Sequence, residues 1–218
     1  MTTRSDSRLN NQLRDYRLKQ IDNNKSITSS YLEVGQSRII CSLYSGYSLD
    51  KRVNLSEECE ILVTIEDIES DNLSAKFSSS NADTSMFVQR ALESVVCVDE
   101  YQKIYFEFVF EILNREDGIL SHLMNLACYT LLKANVMIKD VFSCSEGVWM
   151  GGSQVVMDPT DEERKKAGNF ALMCKLKGSN EVCAFKLQGI AENKVIEEVM
   201  SYLYASCDVV GQMLINCN

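Results

Sequence analysis

The sequence predicts an α+β domain of mostly antiparallel sheet with packed helices over residues 29–218, preceded by a polar leader, expected to be partly ordered, over residues 1–28. Three observations predict that class. From Lys103 to Leu113, Ile104, Phe106, Phe108, Phe110 and Ile112 alternate with Tyr105, Glu107, Val109, Glu111 and Leu113, the two-residue period of a strand. Residues 119–133 are apolar almost all round (Ile119, Leu120, Leu123, Met124, Leu126, Ala127, Cys128, Leu131, Leu132), which predicts a helix buried on most sides. The whole chain reads β-β-β-α-β-α-β-β-β-β-α, an order that suits antiparallel strands with a few packed helices.

Residues 1–28 are polar, and Arg4, Arg8, Arg14, Arg17 and Lys19 make them locally basic. They read as a solvated leader anchored by Leu9, Leu13, Tyr16 and Leu18, or as an arm that contacts RNA or a neighbouring subunit. Tyr31–Val34 is a short extended run, and Gly35-Gln36-Ser37 supplies a turn with Gly35 able to take positive φ. In the next strand Ile39, Cys41 and Leu43 share one face. Ser48–Glu58 is a polar connection, Cys59–Asp67 alternates like a strand, and Glu69–Asp83 reads as a loop. Asp83 or Thr84 is placed to cap a helix that puts Val88, Ala91, Leu92, Val95 and Val96 on one face.

After the apolar helix, Val136–Phe142 and Gly147–Met157 read as strands separated by Ser143–Glu146, with a tight turn at Gly151-Gly152. A short helix is expected to begin near Asp158-Pro159-Thr160. Phe170–Leu176 and Val182–Leu187 form a hairpin across Lys177–Asn180. The last helix, from about Glu192, presents Ile196, Val199, Met200, Leu203, Cys207, Val210 and Leu214 on one face.

Composition narrows function. The net charge of −9, from 22 basic and 31 acidic residues, argues against a free-standing nucleic-acid binder, because phosphate contacts need Lys and Arg. It leaves room for a subunit whose partners supply the positive surface. The nine cysteines are scattered without Cys-x-x-Cys spacing and sit mostly in apolar runs, as small buried hydrophobes in a reducing compartment would. No zinc or other metal, and no cofactor, is expected: there is one histidine, no ligand cluster and no phosphate-binding glycine loop. No apolar run is long enough to span a bilayer.

The run Ser29-Ser30-Tyr31-Leu32-Glu33-Val34-Gly35 and the strand after it resemble the N-terminal hairpin of the RNase PH family. Within that family they most resemble the RNase PH-like ring subunits of the RNA exosome, where a Ser-Ser-Tyr-Leu-Glu-x-Gly form occurs. Ser5–Arg14 resembles the Asp-Gly-Arg-Arg-x-Asn-Glu-Leu-Arg leader of those subunits, with Ser7 in place of the Gly and Leu9 in place of one Arg. Tyr47 stands where the hairpin usually ends in Pro. Phe110–Phe142 resembles the family's strand, Asp-Gly turn, buried helix and following segment. Gln154–Leu176 resembles its strand ending in Leu-Asp, acidic turn and next strand. The resemblance implies a domain related to the second domain of ribosomal protein S5.

Active members of that family cleave RNA from its 3′ end by attack of inorganic phosphate. The resemblance therefore points to two places. The phosphate cradle, Gly-Gly-Thr-Arg-Thr or similar in the family, reads Asp117-Gly118-Ile119-Leu120-Ser121-His122 and lacks the arginine; an aliphatic side chain cannot replace a guanidinium at a dianion. The carboxylate pair falls on Asp158 for its first member. Its second falls on Arg164 without a gap, or on Glu163 with a shift of one. The plainer reading of Asp158-Pro159-Thr160 is a helix cap or turn. The RNA-guiding arginine loop of ring subunits falls on Glu69–Asp83, which has Lys76 and no arginine. Lys51, Arg52 and Lys76 are the RNA-contact candidates, with solvated surface as the plainer reading of each. His122 reads as a core residue rather than a base.

The resemblance implies a non-catalytic structural subunit of the exosome ring, in the nucleus, nucleolus and cytoplasm. Its partners would be other RNase PH-like subunits in a hetero-hexameric ring, S1/KH-type cap subunits and a separate catalytic nuclease, with RNA threading the shared channel and no membrane. The competing expectation is an active phosphate-dependent 3′–5′ exoribonuclease using Asp158 and Glu163 with a partner's arginines. A third is an unrelated small α+β protein.

Overall fold

The computed structural model describes residue 4 and residues 6–47, 59–68, 79–115, 118–150, 154–179 and 181–217. Among the described residues, nine strands form two sheets. In the first, β1 (Arg17–Ile21), β2 (Thr28–Val34), β3 (Ser37–Tyr47), β4 (Glu60–Asp67) and β5 (Ile104–Asn114) lie in the order β1-β2-β3-β5-β4. All its pairings are antiparallel except β4 with β5. That parallel pair needs a crossover, and helix α1 (Ser79–Val95) lies within the connection. In the second sheet, β6 (Phe142–Met150), β7 (Gln154–Met157), β8 (Phe170–Leu176) and β9 (Val182–Gln188) run antiparallel in the order β7-β6-β8-β9.

The layers follow from the patterns. Leu32, Val34, Ile39, Cys41 and Leu43, with Phe106, Phe108, Phe110 and Ile112, point to one side of the first sheet and are buried. Helix α2 (Ile119–Lys133) packs between the sheets, against β2, β3 and β6, and its residues 119–131 are all buried. That position explains its apolar circumference. Helix α4 (Asn193–Asn216) covers the other side of the second sheet with Val199, Leu203, Cys207, Val210 and Leu214. The short helix α3 (Asp161–Ala167) packs on β6.

The β2–β3 hairpin, β5, α2 and α4 match the sequence reading, and Gly35 has φ +58° in the hairpin turn. Three segments differ. The leader is part of the fold: Arg17–Ile21 forms edge strand β1 on β2, and Arg4 is 7% exposed. Helix α1 begins at Ser79, ahead of the expected caps, inside the stretch read as a loop. The expected strand Val136–Phe142 is reduced to one bridge, Val96 with Ile138, and the expected separator Ser143–Glu146 lies inside β6. β6 is covered by α2 on one side and α4 on the other. There Ser143, itself buried, donates to the Cys207 carbonyl at 2.7 Å. A strand buried on both faces has no polar side to set a period. The Gly151-Gly152 turn lies outside the described residues.

Among the described residues, no helix is long and apolar enough to cross a membrane.

Candidate functional site

The end of β7 brings the two sequence-predicted carboxylates, Asp158 and Glu163, to the N-terminus of α3. Thr160 caps that helix in a capping box: its hydroxyl accepts from the Glu163 N–H, and the Glu163 carboxylate accepts from the Thr160 N–H at 2.8 Å. The cap expected from Asp158-Pro159-Thr160 is thus present, supplied by Thr160. Asp158 has φ +48°, the left-handed region. Its carboxylate accepts from the Arg14 N–H (2.7 Å), Arg14 Nη2 (2.6 Å) and Arg8 Nη1 (2.9 Å). Its own N–H donates to the Glu146 carbonyl at 2.9 Å.

Arg4 is the second clamp. Its Nε and Nη2 grip Glu163 in two parallel bonds of 2.8 and 2.7 Å, while its Nη1 donates to the Met157 carbonyl and Nη2 to the Asp158 carbonyl. Paired guanidinium–carboxylate bonds of this kind are among the stronger polar contacts a protein makes. The leader's basic residues, read from sequence as solvated or as an RNA-contacting arm, here include three arginines bound to the chain's own β7–α3 turn.

Electrostatics follow from these contacts. Burial pushes the Asp158 carboxyl up, but the hydrogen bonds and charge of Arg14 outweigh it and hold the group at about 2. Burial likewise raises Glu163, and Arg4 and the Thr160 N–H pull it below the ordinary value. Both groups are ionised and neutralised in place at neutral pH. His122, in the first turn of α2, is 1% exposed and stands edge-on to Tyr16 at 6.1 Å. Burial above all, and then the Arg14 charge, lowers it to about 4, so it is neutral at pH 7.

The degenerate cradle is the start of α2. Gly118, at φ +86°, is its N-cap and offers no side chain to the first turn. Asp117 lies outside the described residues. Across from Gly118 stands Glu146 of β6, 3% exposed, with one carboxylate oxygen bonded to Arg164 of α3. Arg164, one of the two alternatives for the second carboxylate position, thus presents a cation there. Neither Glu146 nor its pairing with Arg164 was singled out by sequence reasoning. A lone acidic residue among small polar ones in an unrecognised strand gave no signal.

Lys51, Arg52 and Lys76 lie outside the described residues. Among the described residues no group of three or more His, Cys, Asp or Glu side chains is arranged to hold a metal ion.

No family model matches the chain. It is 21% identical over 215 residues to a Caenorhabditis elegans protein named as a candidate exosome complex component RRP41, covering 97% of this chain and 89% of that protein. An Arabidopsis thaliana exosome complex component RRP41-like protein is 20% identical over 189 residues, 87% of this chain and 73% of that one. Among solved structures, rice (Oryza sativa) Rrp46 superposes with a TM-score of 0.86 at 15% identity, over 97% of this chain and 98% of that one. A chain of the Archaeoglobus fulgidus exosome, solved with RNA bound to the active site, gives 0.80 at 11% identity over 96% and 92%.

The two layered sheets around a buried helix thus make an RNase PH-like fold. In sequence, the chain is similar over nearly its whole length to proteins named as exosome complex components.

Proposed function

We propose that this chain is a structural, non-catalytic subunit of an RNA exosome ring. In this reading it pairs with other RNase PH-like subunits, carries S1/KH-type cap subunits, and helps thread RNA 3′ ends to a nuclease on another chain, in the nucleus, nucleolus and cytoplasm. The ring role draws on relatives named as exosome components and on a fold shared with exosome chains. The observation that carries the non-catalytic reading is the double clamp: Asp158 is held by Arg8 and Arg14, and Glu163 by Arg4. A carboxylate whose oxygens are committed to guanidinium groups in this way is not free to handle a proton or a metal-bound nucleophile. The missing cradle arginine acts in the same direction.

The test is biochemical. The purified chain, alone and with its co-purifying RNase PH-like partner, should release no nucleoside diphosphates from RNA in the presence of inorganic phosphate. Phosphate-dependent release that disappears in Asp158→Ala would establish the competing reading, an active exoribonuclease. Affinity purification with mass spectrometry checks the ring itself. Recovery of RNase PH-like and S1/KH-domain chains is expected, and their absence would sink the assignment.

A further inference from the structure

The first sheet is covered on one side only. Helices α1 and α2 both pack on the side that carries Ile39, Cys41, Phe108 and Phe110, and among the described residues no helix or strand packs on the other. The strand registers map that second face. Its longest row runs Lys19, Tyr31, Ile40, Glu111, Glu66 from β1 across to β4.

The row is polarised, and its neighbours follow it. On the β1 side Lys19 and Arg38 are exposed, and Lys19 lies 4.9 Å over the Tyr31 ring. Arg38 is in no ion pair among the described residues. On the β4–β5 side Glu60, Glu66, Glu107 and Glu111 point outward, and none of the four is in an ion pair among the described residues. Glu66 and Glu111 are direct partners across the sheet, a like-charge pairing that is unfavourable until a cation is brought to it. Between the two charged sides Tyr31, Ile40 and Val109 are half-buried and present an apolar centre.

We propose that a second copy of this chain docks on the open face, the two first sheets packing against each other about a two-fold axis parallel to their strands. That axis lays the β1 side of each copy over the β4–β5 side of the other. Lys19 and Arg38 then approach Glu66 and Glu111 twice, and the apolar centres meet across the spacing of about 10 Å usual for packed sheets. A two-fold axis across the strands would lay like charges together, so the charge pattern selects the operator. In projection the face covers roughly 600 Å², below the roughly 800 Å² per partner of a standard interface. The dimer is therefore weak and is read at high protein concentration. This contact is independent of ring membership, since it is measured on the chain alone.

The experiment is sedimentation equilibrium of the full chain over a range of concentrations, at low and at high sodium chloride. A monomer–dimer equilibrium is expected, weakening as salt rises. Glu66→Lys/Glu111→Lys and, separately, Lys19→Glu/Arg38→Glu should each weaken the dimer about tenfold or more, because the two-fold axis doubles every reversed contact. An equimolar mixture of the two variants should restore association as a heterodimer, in which every reversed charge meets its opposite. Glu93→Lys/Glu100→Lys changes net charge as much as the first variant does, but at exposed positions on α1 and the turn after it, and should leave the dimer unchanged. Glu66→Gln/Glu111→Gln and Lys19→Gln/Arg38→Gln serve if a reversal does not fold, and each should weaken the dimer. A native chain that stays monomeric, a dimer indifferent to these changes or equally sensitive to the control, or mixed reversal variants that do not associate would overturn the proposal.

Discussion

Asp158 and Glu146 are two buried carboxylates joined by one backbone hydrogen bond, yet they have opposite electrostatic fates. Burial raises both. For Asp158, the hydrogen bonds and charge of Arg14 reverse the effect and hold the group at about 2. For Glu146, Arg164 pulls the other way without prevailing, and the group stays above the ordinary carboxylate value. Depth does not decide the protonation of a buried acid; the number and geometry of donors aimed at it do. The N-terminal arginines make the difference here, so the leader is part of the site.

Arg14→Ala should break the comparison most severely. It strips Asp158 of its strongest side-chain donors and leaves a buried charge less than fully paired, at a cost of about 3 kcal/mol in urea unfolding. A double-mutant cycle with Asp158→Asn should show strong coupling; additive losses would mean that the clamp is incidental.

Acid tests the same neighbourhood through His122, which faces Arg14 and Asp158. Between pH 6.5 and about 4 the unfolded chain binds a proton there that the native chain refuses, so stability falls as pH falls through that window. The loss should be on the order of 2–3 kcal/mol. Asp158 adds a further loss between the ordinary carboxylate value of 3.8 and about 2, where the unfolded chain again takes the proton first. His122→Gln should flatten the upper limb and leave the lower one.

A smaller effect is expected at Gly118. Alanine there would meet only ordinary contacts, but φ +86° disfavours any Cβ, so Gly118→Ala should cost about 1–2 kcal/mol. The least is expected at Arg17, whose side chain is 79% exposed and 3.7 Å from Glu33. Arg17→Ala should stay within about 0.5 kcal/mol, in contrast to the clamping arginines of the same leader.

How much of this was legible beforehand varied with environment. β5 could be read because one face is buried and the other is not, so Phe106, Phe108 and Phe110 alternate against Glu107 and Glu111. α4 could be read for the same reason at the helical period. β6 could not: with helices on both sides it needs no polar face, and its serines looked like a break. In the site, Asp158 and Glu163 were legible as residues of interest through the family resemblance. Their condition was not, since the arginines that set it lie 144 to 159 residues away in the chain.

By itself the sequence determined the α+β class, the hairpin and a helix apolar almost all round. All of these follow from local composition and short-range periodicity, which a linear reading captures. Tertiary structure alone decided that Arg4, Arg8 and Arg14 close on the β7–α3 turn, and that Glu146 faces the start of α2. Which charges meet depends on how the two sheets and the leader come together, and no short-range pattern encodes that.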